Sequence, residues 1–150
     1  MKRTMKSISK SVKATCVVLL LSIASASANT TKALSFDWAP VMDAIIQVES
    51  KGDPNAVNGC WVGAMQISPV LVEDCNDILR NQKSSKRFTL ADRYSVAKSK
   101  EMFLLIQQCY NPLNNVEKAI RIWNGGSRYS VKATNGYYKK VMAQMQEMGN

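Results

Sequence analysis

Residues 40–54 read Pro40-Val41-Met42-Asp43-Ala44-Ile45-Ile46-Gln47-Val48-Glu49-Ser50-Lys51-Gly52-Asp53-Pro54, and their pattern decides the fold class. Proline suits the first turn of a helix, where its missing N–H is not needed. Val41, Met42, Ile45, Ile46 and Val48 recur at helical spacing and predict one apolar face. Lys51-Gly52-Asp53-Pro54 stops the helix just after Glu49-Ser50. A carboxyl group therefore falls at the C-terminal end of a core helix. The helix dipole disfavours its charge there, and the apolar neighbours Ile46 and Val48 add desolvation. Both effects raise a carboxyl pKa toward the range a general acid needs. The bland alternative is a surface Glu at a frayed helix end.

Outward from this helix the chain stays helical. An Asn- and Gly-rich loop covers Asn55 to Gly63. Pro69 opens a second helix to about Leu79. Residues 80–88, with Arg80, Lys83, Lys86 and Arg87, read as a solvated basic loop rather than a substrate patch. Thr89 and Asp92 form a capping-box pattern, which predicts a long helix from Ala91 to Gln108. Its expected apolar stripe is Tyr94, Ala97, Met102, Leu105 and Ile106. Pro112 breaks the chain. A further helix spans Asn115 to Trp123 and ends on Gly125-Gly126. The last runs from Asn135 to Met148, with Tyr137, Val141, Met145 and Met148 on one face. No alternating stretch is long enough for a large sheet. The expectation is a mainly α, α-rich α+β single domain.

Composition narrows the chemistry. The 150 residues contain no His, so Ser-His-Asp, Cys-His and His-ligated zinc sites are excluded. Acid–base work falls to the 11 carboxylates, or to Cys, Lys or Tyr. The net charge of +9 suggests phosphate binding until the charge is located. Lys2, Arg3, Lys6, Lys10 and Lys13 precede an apolar run from Ala14 to Ala24 and a small-residue site, Ala26-Ser27-Ala28. This is the pattern of a secretory signal over residues 1–28, followed by a short tether over 29–36 and a domain over 37–150. Cleavage there would leave 122 residues with a charge of +4. That weakens a nucleic-acid reading and suits an anionic wall polymer. It also predicts an exported protein, periplasmic or extracellular, with no membrane span retained. Cys60, Cys75 and Cys109 would remain, with three pairings open and three reduced thiols as the alternative. No metal and no cofactor is expected.

Two further segments carry polar groups in suggestive settings. Gly63-Ala64-Met65-Gln66-Ile67-Ser68-Pro69 combines close backbone approach with an amide that both donates and accepts. Ile122-Trp123-Asn124-Gly125-Gly126 ends a helix with an aromatic and an amide, groups suited to sugars. The bland alternatives are an ordinary loop and a buried aromatic beside a helix cap.

Together, Glu49-Ser50, Gly63-Ala64-Met65-Gln66, Trp123-Asn124-Gly125-Gly126 and Tyr137 before Lys139-Lys140-Val141 resemble the soluble-lytic-transglycosylase (SLT) domain family. Their order and spacing match from about residue 38 to 142. Ala64 stands where that family usually has Leu, and Trp123 where it usually has Tyr. Phe88 to Tyr94 lacks the larger family's Asn-rich signature. The resemblance implies a lysozyme-like fold and cleavage of the MurNAc–GlcNAc bond of peptidoglycan glycan strands. It implies that Glu49 is the single catalytic acid and that 1,6-anhydro-MurNAc ends form. Ser50 would orient Glu49 or touch substrate. Met65 and Gln66 would line the cleft, with Trp123 as an aromatic platform. Asn124 and Tyr137 would position the N-acetyl sugar and the Glu49 carboxyl, and either Tyr137 or Tyr138 could face the site. The alternatives are a lysozyme-type hydrolase and a non-catalytic wall-binding module. A monomer that opens the wall for a secretion or conjugation machine is the expected setting.

Overall fold

The computed structural model describes residues 36–150. The expected signal over 1–28 and nearly all of the tether lie outside the described residues. Among those described, the protein is mainly α, with five α-helices, one 3-10 helix and one two-stranded hairpin.

Helix α1 covers Ala39–Ser50, opened by Pro40 and by Asp37, whose carboxylate accepts from the Ala39 N–H at 2.9 Å. Its buried face is Val41, Met42, Ala44, Ile45 and Ile46. Lys51 ends it in the left-handed region at φ 56°, donating to the Gln47 carbonyl at 3.1 Å. Next comes the hairpin, β1 (Val57–Asn58) antiparallel to β2 (Trp61–Val62). The loop between them is Gly59-Cys60, and Gly59 supplies the positive φ of 60° that such two-residue loops require. Helix α2 (Pro69–Asn81) is capped by the Ser68 hydroxyl, which accepts from Leu71 N–H.

The capping box at Thr89 and Asp92 is present, but it caps only the 3-10 helix Leu90–Tyr94. Helix α3 begins afresh at Val96, capped by Ser95, and runs to Tyr110. The long helix expected from Ala91 is therefore two pieces, and Tyr94 and Ala97 are exposed rather than part of the stripe. The face that α3 buries is Ser99, Met102, Phe103, Leu105, Ile106 and Gln107. Helix α4 (Val116–Gly125) is capped by Asn115. Helix α5 (Val131–Met148) starts four residues before the expected Asn135, because Ser130 caps it and its first turn is held in place. There Thr134 is buried, and its hydroxyl accepts from the guanidinium of Arg121 at 3.0 Å. Arg121 is itself buried, paired with Glu117 and stacked on the Tyr138 ring. Met148 is exposed, so the inward face of α5 is shorter than its sequence pattern suggested.

Helix α1 packs on α4 and α5, and α2 packs on α3. At the centre, Phe103 sits between Trp38 and Trp123, with ring centroids 5.6 and 5.4 Å away. Ile45, Met65, Met102 and Ile120 are fully buried around it. Each such side chain contributes about 1.5–3 kcal/mol by leaving water. The basic loop is shorter than the expected 80–88, since Arg80 belongs to α2 and Phe88 is buried, and Lys83, Lys86 and Arg87 are exposed. Lys86 pairs with Glu101 and lies over Phe88, while Arg87 donates to the Ser84 and Lys86 carbonyls.

Candidate active site

Three elements bring their ends to one cleft of about 460 Å³. The end of α1 contributes Glu49, the hairpin and its following loop contribute Asn58, Trp61, Gln66 and Ser68, and the end of α4 contributes Trp123, Asn124 and Gly126. Helix α2 adds Val70, Leu71 and Asp74, and α3 adds Ile106 and Tyr110. Among the described residues no Lys or Arg lines the cleft.

Glu49 is half-buried, and burial holds its carboxyl above the ordinary carboxylate range. Tyr137, from the far end of the sequence, donates its hydroxyl to Glu49 Oε1 at 2.7 Å and partly offsets that rise. Burial and the Glu49 charge push the Tyr137 phenol upward, so it remains a proton donor in the hydrogen bond. Tyr137 therefore faces the acid, while Tyr138 packs under Arg121. Removing the phenol should leave Glu49 with desolvation alone. For Tyr137→Phe the expected result is a further rise in the Glu49 pKa. The descending alkaline limb of any activity that needs protonated Glu49 then moves to higher pH. A pH–rate profile that stays in place or moves to lower pH would contradict this.

The loop after the hairpin is unusually constrained. Val62 and Ile67 pair backbone to backbone, closing Gly63-Ala64-Met65-Gln66 into a tight turn. Gly63 and Gln66 both have positive φ, 78° and 50°. Gln66 Nε2 donates back to the Gly63 and Ala56 carbonyls at 3.0 and 3.3 Å, which fixes its amide at the cleft edge. The same turn drives Met65 inward. Met65 is fully buried and belongs to the core, not to the cleft wall where it was expected.

Two other expectations change. The Ser50 hydroxyl donates to the Ala64 carbonyl at 2.9 Å and to Ile46 at 3.3 Å. It stitches the end of α1 to the turn and is not part of the cleft lining. Trp123 is only 9% exposed, since its ring packs on Phe103, so it offers the cleft an edge and not an open platform. Asn124 is exposed and lines the cleft.

The open aromatic is instead Trp61, 50% exposed on β2. The Asn58-Gly59 pair was a hairpin signal that would have placed Trp61 on a strand beside a turn. The second missed residue is Asp74. Asp53, the acid that follows Glu49 in the sequence, stays in its own turn, accepting from the Asn55 N–H at 2.8 Å. Asp74 reaches the same cleft as Glu49, and its carboxyl is raised by desolvation and by Glu73. Its position four residues after Val70 puts it on the Val70–Leu71 side of α2. That spacing alone does not show that a cleft lies on that side.

Among the described residues no cluster of ligating side chains could hold a metal ion. No described helix is long and apolar enough to cross a membrane. Cys60, Cys75 and Cys109 are unpaired among the described residues, and burial pushes the Cys75 thiol up to about 12, which makes it inert. Compared with known proteins, the chain matches no family model, no curated protein and no solved structure.

Proposed function

We propose that this protein is a peptidoglycan lytic transglycosylase of the SLT type with a lysozyme-like fold, exported to the cell wall. The observation that carries the reading is a half-buried acid, Glu49, in a cleft, with a raised pKa and a phenol bonded to it. Burial favours the protonated form of this carboxyl, the form that can donate to a glycosidic oxygen. In the proposed reaction the proton of Glu49 passes to the oxygen linking MurNAc to GlcNAc, and the C1–O bond breaks. The C6 hydroxyl of the same MurNAc bonds to C1 and gives its proton to the Glu49 carboxylate. An anhydro end and a free sugar end result, and Glu49 is again protonated. Gln66 and Asn124 supply amides for the N-acetyl and hydroxyl groups of the strand. Ser50 supports the turn that carries Gln66.

The lining also argues against a phosphate-bearing substrate. Among the described residues no cation lines the cleft, so a phosphate group would find no charge partner there.

One observation favours a second reading, hydrolysis by water on the same site. Paired-carboxylate glycosidases use a second acid, and Asp74 lines the cleft with Glu49. Digestion of purified peptidoglycan with mass analysis of the products separates the two. Anhydro-muramoyl ends are expected. Reducing muramic ends would establish the hydrolase and overturn the transglycosylase. A monomer working beside a secretion or conjugation machine remains part of the proposal.

A further inference from the structure

The cleft wall formed by the hairpin is held from behind by the 3-10 helix Leu90–Tyr94, and the chemistry proposed for Glu49 does not explain that contact. Strands of two residues do not hold a hairpin in place by themselves. Arg93 supplies external bonds. Its Nη1 donates to the Cys60 carbonyl at 3.1 Å and to the Ile67 carbonyl at 3.3 Å, while Nε donates to Leu90 at 2.9 Å. Cys60 and Ile67 bracket the segment that contains Trp61 and Gln66. The Arg93 carbonyl lies directly against Gly63, inside that segment, and is fixed by the Ser99 hydroxyl at 3.2 Å. Among the described residues Arg93 forms no ion pair, so its guanidinium is directed at backbone carbonyls.

What this arrangement presents to the cleft is an exposed indole, with the amides of Asn58 and Gln66 and, among the described residues, no cation. A flat apolar ring beside amides matches a pyranose, whose ring face is apolar and whose edge carries hydroxyl and acetamido groups. The hydrogen bonds of Arg93 do not reach Glu49 or Tyr137. Its effect on the site passes through the hairpin.

We propose that Arg93 is a positioning residue that fixes the hairpin so that Trp61 forms a stacking subsite for a pyranose ring of the substrate. This rests on the reading of the cleft as a glycan site. The full chain is titrated with a hexamer of N-acetylglucosamine, kinetics are measured on peptidoglycan, and amide hydrogen exchange is followed over residues 59–67. Arg93→Ala and Trp61→Ala should each weaken hexamer binding about tenfold, with KM raised to match and kcat within about twofold. Exchange over 59–67 should quicken in Arg93→Ala and stay unchanged in Trp61→Ala. Arg93→Lys keeps one donor and should recover much of the binding. Should Arg93→Ala fail to fold, Arg93→Lys carries the same readouts with a smaller expected change. Unchanged hexamer affinity in Trp61→Ala, or unchanged exchange in Arg93→Ala, overturns the proposal, as does a fall in kcat with KM constant. If the unaltered chain binds no hexamer, the subsite is overturned. Retention of peptidoglycan cleavage in that case would show that the reading of Glu49 survives without it.

Discussion

Glu49→Gln is expected to lower peptidoglycan cleavage by about 10²–10⁴-fold while the fold is kept. Gln has the shape of Glu, and its carbonyl oxygen can still accept from the Tyr137 hydroxyl, which lies 2.7 Å from Oε1. What it lacks is the proton to give. The substitution should also make the protein more stable at neutral pH. Burial raises the Glu49 pKa above its unfolded value, so between those two values the native state holds more protons than the unfolded chain. Stability contributed by this group is therefore present at low pH and declines as pH rises through the folded pKa. Gln has no such decline, so the gain in Tm should be small in acid and larger at neutral pH. In the unaltered protein, activity should be greatest at mildly acidic pH and fall toward alkaline pH as Glu49 loses its proton. Cleavage assays beside thermal melts at two pH values check all three statements. An unaltered protein that binds wall without cutting it would favour the rival reading, a wall-binding assembly module. A variant as active as the parent would remove Glu49 from the chemistry.

Gly63→Ala should be among the most destabilising single substitutions in the chain, at about 3–5 kcal/mol. A Cβ at Gly63 would meet the carbonyl oxygen and carbon of Arg93, far inside contact distance, and φ there is 78°. Neither neighbour can move cheaply. The 3-10 helix is fixed by the Thr89–Asp92 box and by Ser99, and the Ala64 carbonyl of the turn is bonded to Ser50. The accommodating shift would displace Gln66 and Trp61 together, so saccharide binding should fall along with stability. Gly136→Ala is the control. It lies inside α5 with nothing within 4 Å, and Ala is the better helix former there. Denaturant melts should show a large drop in midpoint for Gly63→Ala and none for Gly136→Ala. Equal midpoints would mean that the packing of Arg93 on Gly63 is far looser than described.

Much of the fold was legible because helix starts and core faces are written locally. Pro40, Pro69 and Asn115 marked their helices, and the α1 stripe is buried largely as its spacing predicts. The errors came where two local signals compete. The Thr89 box promised a long helix, but Ser95 caps a second one, and only the docking of the 3-10 helix on α3 and Gly63 selects the break. Helix α5 starts early because Ser130 caps it and Arg121, thirteen residues before Thr134, is buried against that first turn.

The sequence by itself determined a mainly helical chain, an acid at the end of a core helix, and chemistry without His. These follow from spacing and composition, which need no distant partner. Only the tertiary structure decided which groups share the cleft. It brought Tyr137 to Glu49 across 88 positions, sent Met65 inward, closed Trp123 against Phe103, and opened Trp61 and Asp74 to the same space. A side chain's local pattern gives its direction from its own backbone. What it meets there depends on how the elements pack, and that is a property of the whole chain.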